Sequence, residues 1–554
     1  MGRAWRGLRI AAAAGAAAGL LASLPEISTA WLRLSGELVA RRVAIGWVAG
    51  AALSPLVSVV LARRARPLGE APRRWRRLGR AALTLAAAAP LLLWMTLLVP
   101  RGLLCRAIAP GRAVGDTRPN LVLITIDALR ADHLGAYGRD RGLTPNLDAF
   151  AREATVYSAA CACAPWTMPS FGAMLSGLSP SRCGLKVPEP QMNEWYTYQA
   201  TLPADVPLVS ERLRAAGYAT AAELTNPFLA AQKGWRRGFD SFRNEDESDP
   251  DSLSTRARRV TGAALAWLRL NRREPFFLWV HYLDPHIPYD SPATPAQVRA
   301  AYPEEWWGTR RAYWYDFMQS KRIEQKTRYQ DFCRRMYAEE VRYADAWVGK
   351  LLDGLRRRPD YDDMLIVLTS DHGEELFDHG GFEHGHTMHE ELLRVPLLVK
   401  WPRGWAADRT VGQTVALSSL AATLLEAAGE PPTGDEAQRP LPRRNGERGV
   451  GVYSEGVLHG WEQTALTTDD LKVIYHPYEG TRASAFEVYD RRTDRLERTD
   501  LAPAGAAADL RSRLERMTAE SAIIASKRAA GPEQRPEMTE QLRKRLESLG
   551  YLGK

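Results

Sequence analysis

Between residues 43 and 62, and again between 81 and 99, the chain is apolar and uncharged. Each run is close to the roughly 20 residues that carry a helix across a bilayer. A third run, 10–24, is shorter, Ala-rich and preceded by Arg3, Arg6 and Arg9, so it reads either as a first span or as the apolar core of a cleaved signal peptide. Nothing amphipathic marks a water-facing side on the two strong runs, which speaks against buried core helices of a soluble protein, the plainer alternative. Beyond about residue 110 the pattern changes to short β-branched runs that end in ionisable side chains. "NLVLITID" ends in Asp127, "PFFLWVHYLDPH" in Asp284 and His286, and "MLIVLTSDH" in Asp371 and His372. Each predicts a buried parallel strand that delivers its last residues to the C-terminal edge of a sheet, where ligand sites of open α/β sheets collect. Helical periodicity over 146–153, 208–216, 253–270 and about 327–355 lies between these runs. The expected class is therefore α/β, with a mostly parallel sheet between helices and one site where the strand ends converge.

The segment 288–322 breaks this rhythm with Tyr302, Trp306, Trp307, Tyr313, Trp314, Tyr315 and Phe317 among charges. It reads as a surface insertion with its own small core, or as a rim facing substrate or bilayer. Residues 429–447, rich in Pro, Gly, Arg and Glu, form a loop or linker. "GVYSEG", "LKVIYHP" and "AFEVYD" then predict strands of a smaller C-terminal sheet, and "MTEQLRKRLESLGYLG" a final amphipathic helix. The chain thus divides into a membrane region, 1–110, the main sheet, 111–430, and a C-terminal part, 431–554.

Charge sharpens the division. Sixteen arginines against three glutamates give the first 110 residues a net charge of +13, so with +9 overall the remaining 444 residues carry −4. The basic character belongs to the membrane region and does not indicate a nucleic-acid surface on the main domain. The arginine-rich stretch between the strong runs should stay cytoplasmic, and one further crossing places everything after about residue 110 outside the cytoplasm. Five cysteines give no disulfide framework. Cys105 lies at the membrane boundary, and of Cys161, Cys163, Cys183 and Cys333, a Cys163–Cys183 pair would flank the stretch around Thr167.

Two clusters carry the candidate chemistry. Asp127, Asp371 and His372 are oxygen and nitrogen ligands suited to a borderline divalent ion such as Zn2+ or Mn2+. Five of the ten histidines fall within 18 residues of "SDHGEELFDHGGFEHGHTMHEE"; a hydrated polar loop is the plainer account of that density. In "APWTMPSFGAMLSG", Pro169 fits the first turn of a helix, which puts Thr167 near the positive end of the helix dipole. Thr167 could be a helix cap or, with a metal to lower its pKa, a nucleophile.

The series "NLVLITIDALRADHLGAYG", "TMPSFGAMLSGLSPSRCG", "GYATAAELTNPFL", "FFLWVHYLDPHIPY", "LTSDHGEELFDHGGFEHGHTMHEELLRVPLLVKWP" and "LESLGYLG" resembles, in sequence and order, the sulfatase family of the alkaline-phosphatase superfamily over roughly residues 118–553. The resemblance implies an alkaline-phosphatase-like, mostly parallel sheet between helices with a small C-terminal subdomain. It also implies a divalent metal ion (Zn2+, Mn2+ or Ca2+) on Asp127, Thr167, Asp371 and His372, with Thr167 at the nucleophile position. His286 falls at the histidine that contacts the transferred group, and His384 or His386 at one that binds that group or a second metal.

The departures are informative. Sulfatases proper carry Cys-x-Pro-Ser-Arg, whose Cys becomes formylglycine; here the stretch is Thr167-Met168-Pro169-Ser170-Phe171. Ala128 replaces the usual second Asp, His372 stands where an Asn often follows the later Asp, and Asn226 lies where a Lys-x-x-His-like pair is expected. Cys163 does not restore the signal, because Thr167, not Cys163, has the family's spacing to Gly177. Asp, Thr, Asp and His resemble instead the metal set of the superfamily's phosphodiesterases and membrane-bound phosphoethanolamine and phosphoglycerol transferases. A Thr sulfate ester has no exit comparable to collapse of a formylglycine hydrate, whereas a Thr phosphoester can be cleaved by in-line attack. The expected substrate is a phosphoester or phosphodiester, presented on a lipid head group or envelope glycan close to the membrane. Sulfate-ester hydrolysis and anion binding without turnover are the alternatives.

Overall fold

A computed structural model describes residues 116–138, 142–186, 200–244, 256–271, 275–289, 291–303, 306, 323–432, 439–446, 451–477 and 485–529. All lie in the second of two compact units, Gly102–Lys554. The three apolar runs, Cys105 and the final helix expected from 538 onward fall outside the described residues. Among the described residues no helix is long and apolar enough to cross a membrane.

The eight-stranded sheet is built from β1 (Leu121–Ile126), β2 (Thr155–Tyr157), β4 (Ala219–Leu224), β5 (Ser241–Asn244), β6 (Phe276–Tyr282), β7 (Leu365–Ser370), β10 (Leu397–Lys400) and β11 (Thr410–Val411), in the order β11-β2-β10-β7-β1-β6-β4-β5. The five strands from β7 to β5 are parallel, and β10 pairs antiparallel with both of its neighbours. The remaining short strands near the site are β3 (Ala160–Cys161), β8 (Glu375–Leu376), β9 (Phe382–Glu383) and β12 (Val415–Ala416).

Alternation along β1 explains the layers. Leu121 and Leu123 enter one core with Met168, Phe171 and Met174 of the helix Thr167–Ser176, while Val122, Ile124 and Ile126 enter a second with Phe332, Met336 and Tyr337 of the helix Ile323–Arg356. A strand apolar on both faces has no stable place except between two helical layers. The helices Pro145–Ala151, Val209–Ala215 and Arg256–Leu270 also form where their periodicity predicts, within a few residues.

The smaller sheet is antiparallel, β13 (Val452–Ser454), β14 (Thr464–Thr467), β15 (Leu471–Tyr475) and β16 (Phe486–Asp490). Three of these strands match expectation; β14, "TALT", is too short and too weakly apolar to stand out. Its core of Leu466, Val473 and Val488 is closed by Leu514 from the helix Ala508–Ala529, an element whose Ala- and charge-rich pattern gave no clear boundary. Two expectations are corrected. Cys163 and Cys183 are both buried free thiols, Cys183 Sγ lying 3.2 Å from Ser176 Oγ. In the aromatic segment, Tyr302 and Trp306 pack on Tyr329 and Phe332 as part of the main core rather than a separate one; Trp307, Tyr313, Trp314, Tyr315 and Phe317 lie outside the described residues.

Candidate active site

Register brings the strand ends together. Ile126 pairs with Ser370, so Asp127 and Asp371 emerge side by side, and Ile126 also pairs with Tyr282 of β6. β4 ends next to β6 and supplies Asn226. Asp127, Asp371 and His372 are all fully buried, and one ligand atom from each lies within 4.8 Å of the others. His372 Nε2 is 3.4 Å from both Asp127 Oδ1 and Asp371 Oδ2, and neither oxygen has a hydrogen-bond partner. Two buried carboxylate oxygens left without donors are costly unless a cation sits among them. The donor set therefore fits a divalent metal ion.

Thr167 is the first residue of its helix and 1% exposed. It is not the cap: Trp166, with extended backbone, holds that position without a side-chain cap bond. Thr167 Oγ1 instead lies 3.4 Å from His372 Nε2, at the helix's positive end. Ser170, one turn on, donates to the Asp371 carbonyl at 2.5 Å and ties the helix to the end of β7.

Three imidazoles meet here, with His384 4.5 Å from His372 and 4.8 Å from His286 between ring centroids. Each has its Nδ1 committed. His286 Nδ1 donates to the Ile287 carbonyl (2.6 Å) and His372 Nδ1 to the Gly373 carbonyl (2.8 Å), and His384 Nδ1 shares a proton with Glu374 Oε1 (2.9 Å). A carbonyl can only accept, so these bonds place a proton on Nδ1 of His286 and His372, and His372 turns its Nε2 toward Thr167. Burial holds His286 down, to about 4, and holds His384 well below the usual histidine range with help from the His372 charge. His372 is drawn up to about 9, because Asp371 and Asp127 outweigh its burial. Burial and the Asp127 charge push Asp371 up to about 6, whereas burial of Asp127 is outweighed by the neighbouring imidazoles of His281, His372 and His286, which keep it well below the carboxylate range.

Not every expected residue converges. His386 turns aside, its Nε2 2.7 Å from Glu375 Oε2, so of the pair His384 and His386 only His384 joins the imidazole cluster. Asp284 faces Arg256 and the backbone of Ala257 at the start of the helix Arg256–Leu270, and burial pushes it up to about 6. Phe171, where the family pattern has Arg, is buried against Trp279 and His281 at 5.2 and 5.0 Å. Cys163 meets Ser418, and burial raises its thiol.

Four residues had not been assigned to the site. Asn226 Nδ2 donates to Asp127 Oδ2 at 2.6 Å, His281 Nε2 lies 3.3 Å from the same oxygen, and Tyr289 donates to Glu374 Oε2 at 3.0 Å. Asn226 follows β4 as the metal-binding candidates follow β1 and β7, so the same strand-end rule applies to it. His281 sits inside β6 beside Thr125, where only register reveals it.

Residues 119–430 match the family profile described as Sulfatase. The chain belongs to the sulfatase family. Its members are hydrolases of ester bonds in the alkaline-phosphatase superfamily, and its α/β fold, with a mostly parallel central sheet, is alkaline-phosphatase-like. Among sulfatase relatives, this chain is 22% identical over 466 residues to the uncharacterized sulfatase YidJ of Escherichia coli (strain K12), covering 72% of this chain and 86% of that one. It is also 22% identical over 427 residues to the Delta 4,5-hexuronate-2-O-sulfatase of Bacteroides thetaiotaomicron, covering 72% and 87%. The crystal structure of a phosphonate monoester hydrolase of Agrobacterium radiobacter superposes with a TM-score of 0.54 at 18% identity, covering 76% of this chain and 99% of that one.

Proposed function

We propose that this sulfatase-family protein is a membrane-anchored, metal-dependent hydrolase or transferase that acts on a phosphoester or phosphodiester through Thr167, outside the cytoplasm. The observation that carries the reading is Thr167 itself, an ordinary hydroxyl at the head of a buried helix, 3.4 Å from His372 of the Asp127–Asp371–His372 cluster. Asp127, Asp371, His372 and Thr167 would hold the ion, which when bound supplies a lowered Thr167 pKa and charge neutralisation on the transferred group. One nitrogen donor and only two carboxylates favour Zn2+ or Mn2+ over Ca2+.

In the first half-reaction the Thr167 oxygen forms a bond to phosphorus as the bond to the leaving oxygen breaks; the Thr167 hydroxyl proton passes to a nearby base, and the departing alkoxide takes up a proton from the site or from water to leave as the alcohol. His286 is neutral at pH 7 with its Nδ1 proton committed to Ile287, so its Nε2 can accept a proton from Thr167 or from the water or alcohol that later attacks the Thr ester. Glu374 orients His384 for the same work, and is itself oriented by Tyr289. The phosphonate monoester hydrolase neighbour supports the reading in that the fold carries phosphorus-ester chemistry there. Sulfate-ester hydrolysis is the second reading, favoured by relatives such as the hexuronate-2-O-sulfatase. The apolar runs 43–62 and 81–99 supply the anchor, and a lipid head group or envelope glycan is the ester-bearing partner.

Intact mass spectrometry of the full chain in detergent, with Mn2+ or Zn2+, after brief exposure to a phosphodiester or to an aryl sulfate, tests the proposal. A phosphoryl-type adduct mapping to Thr167 and absent in Thr167→Ala is the expected result. Sulfate release with an unmodified Thr167, or formylglycine at Cys163, would overturn it.

A further inference from the structure

The loop between β13 and β14, residues 455–463, comes from the small sheet yet is fastened to both flanks of the site. On the nucleophile side, Trp166 Nε1 donates to the Gly456 carbonyl at 2.8 Å, and Glu455 N donates to the Cys163 carbonyl at 3.0 Å. On the histidine side, Leu458 N and His459 N both donate to the carbonyl of Gly385, the residue after His384, at 2.6 and 2.9 Å. The returning arm is fixed by Gln463 Nε2, 3.2 Å from the His386 carbonyl. Gly385 is required for this approach: its φ is +81°, and an added Cβ would lie 2.9 Å from Leu458 Cβ and 3.6 Å from Trp166 Cβ. The base of the loop is braced from behind, since Lys186 Nζ lies 3.3 Å from both Glu455 and Glu462.

The tip of this braced loop is Gly460–Trp461. Gly460 has a φ of +85° and open space around it, and Trp461 is 58% exposed, whereas Val457, Leu458 and His459 below it are buried. Two residues of extended chain span at most about 7 Å, so anchors at 459 and 463 keep the Trp461 backbone close to the His384–His386 segment. A large indole left in water, on a loop whose base is tied to both Trp166 and Gly385 beside the buried site, has the character of a stacking platform for a ring.

We infer that Trp461 determines specificity for the leaving group, stacking on an alcohol that carries a flat apolar face, either a sugar ring or an aryl ring. The inference rests on the ester chemistry proposed above. The transferred group is held among buried residues, so only the alcohol half of the ester can reach outward to the rim.

The test compares Trp461→Ala and Trp461→Phe with the parent on three methyl phosphodiesters whose second alcohol is p-nitrophenol, the 6-hydroxyl of glucose, or trifluoroethanol. Trp461→Ala is expected to lower kcat/KM about tenfold further on the ring-bearing esters than on the trifluoroethyl ester, mainly through KM, and Trp461→Phe to recover most of it. A loss confined to the p-nitrophenyl or the glucosyl ester would identify which ring is recognised. A binding arm needs no turnover: calorimetry on Thr167→Ala, with and without Trp461→Ala, using p-nitrophenyl phosphate, glucose 6-phosphate and the two corresponding sulfates. Equal losses on all three diesters, or equal affinities in the binding arm, would overturn the inference. Turnover of sulfates alone would overturn the phosphoester reading instead, and the binding arm would still decide on Trp461.

Discussion

At the scale of single residues, the site depends on positions that chemistry and backbone select together. Thr167→Ala should reduce turnover by a factor on the order of 10^4 or more while leaving the thermal midpoint in EDTA nearly unchanged, because the hydroxyl makes no cap bond; steady-state kinetics beside thermal melts check both. Gly373 is a packing counterpart. A Cβ there would overlap the Glu391 carbonyl oxygen, and the Gly373 carbonyl is what fixes the His372 tautomer. Gly373→Ala is therefore expected to cost about 2 kcal/mol or more in denaturant unfolding and also to weaken metal binding. Chelation with EDTA should lower the melting temperature of the parent, with recovery on adding Mn2+ or Zn2+, and should leave Asp127→Ala unmoved. Residues at strand ends were legible in the sequence because a β-branched run stops where a carboxylate starts. His281 was not, since an imidazole inside an apolar strand has no local pattern to announce it. Nor could pattern separate His384 from His386; that depended on Glu374 and Glu375 facing different ways.

At the scale of elements, the seam between the two sheets is ionic. His379 and His389 stack at 3.7 Å and 6° between ring planes. His379 Nδ1 meets Glu391 Oε1 at 2.7 Å, His389 Nδ1 meets Glu497 Oε2 at 3.0 Å, and Lys472 Nζ from β15 sits 2.9 Å from Glu497 Oε1. Parallel rings point their lone pairs alongside each other, and Lys472 already neutralises the glutamate, so the cluster serves as an ion-paired clasp rather than a metal centre. Burial lowers the His379 pKa, but the Glu391 hydrogen bond and charge outweigh it and raise it to about 9. A group raised on folding stabilises fully below its unfolded pKa, about 6.5, and loses that contribution as pH rises through the folded value. The stability advantage of the parent over His379→Gln, read from urea midpoints, should therefore be largest near pH 6 and shrink to nothing by about pH 10. Strong periodicity made the main strands and long helices readable; β14 and the helix Ala508–Ala529 were not, because their stability comes from packing on each other rather than from their own pattern.

At the scale of the whole molecule, the Asp127–Asp371–His372 cluster belongs to a chain whose first 110 residues carry the apolar runs and a net charge of +13, more than the +9 of the whole. The membrane proposal has a direct check: the full chain should stay with the membrane fraction through an alkaline carbonate wash, and protease given access to the non-cytoplasmic face of that membrane should degrade the part after residue 110. Release into the soluble fraction would count against the anchor. The sheet order carries a further consequence. β1 lies inside the sheet between β6 and β7, and Leu121 pairs with Phe277 on one side and Leu365 on the other. During synthesis the apolar "LVLITI" segment therefore emerges long before either partner exists, and the catalytic pocket cannot close until β7 inserts beside it. Folding of this chain is thus a race between late strand insertion and aggregation of an early, sticky strand, and recovery from denaturant should be slow and steeply dependent on protein concentration.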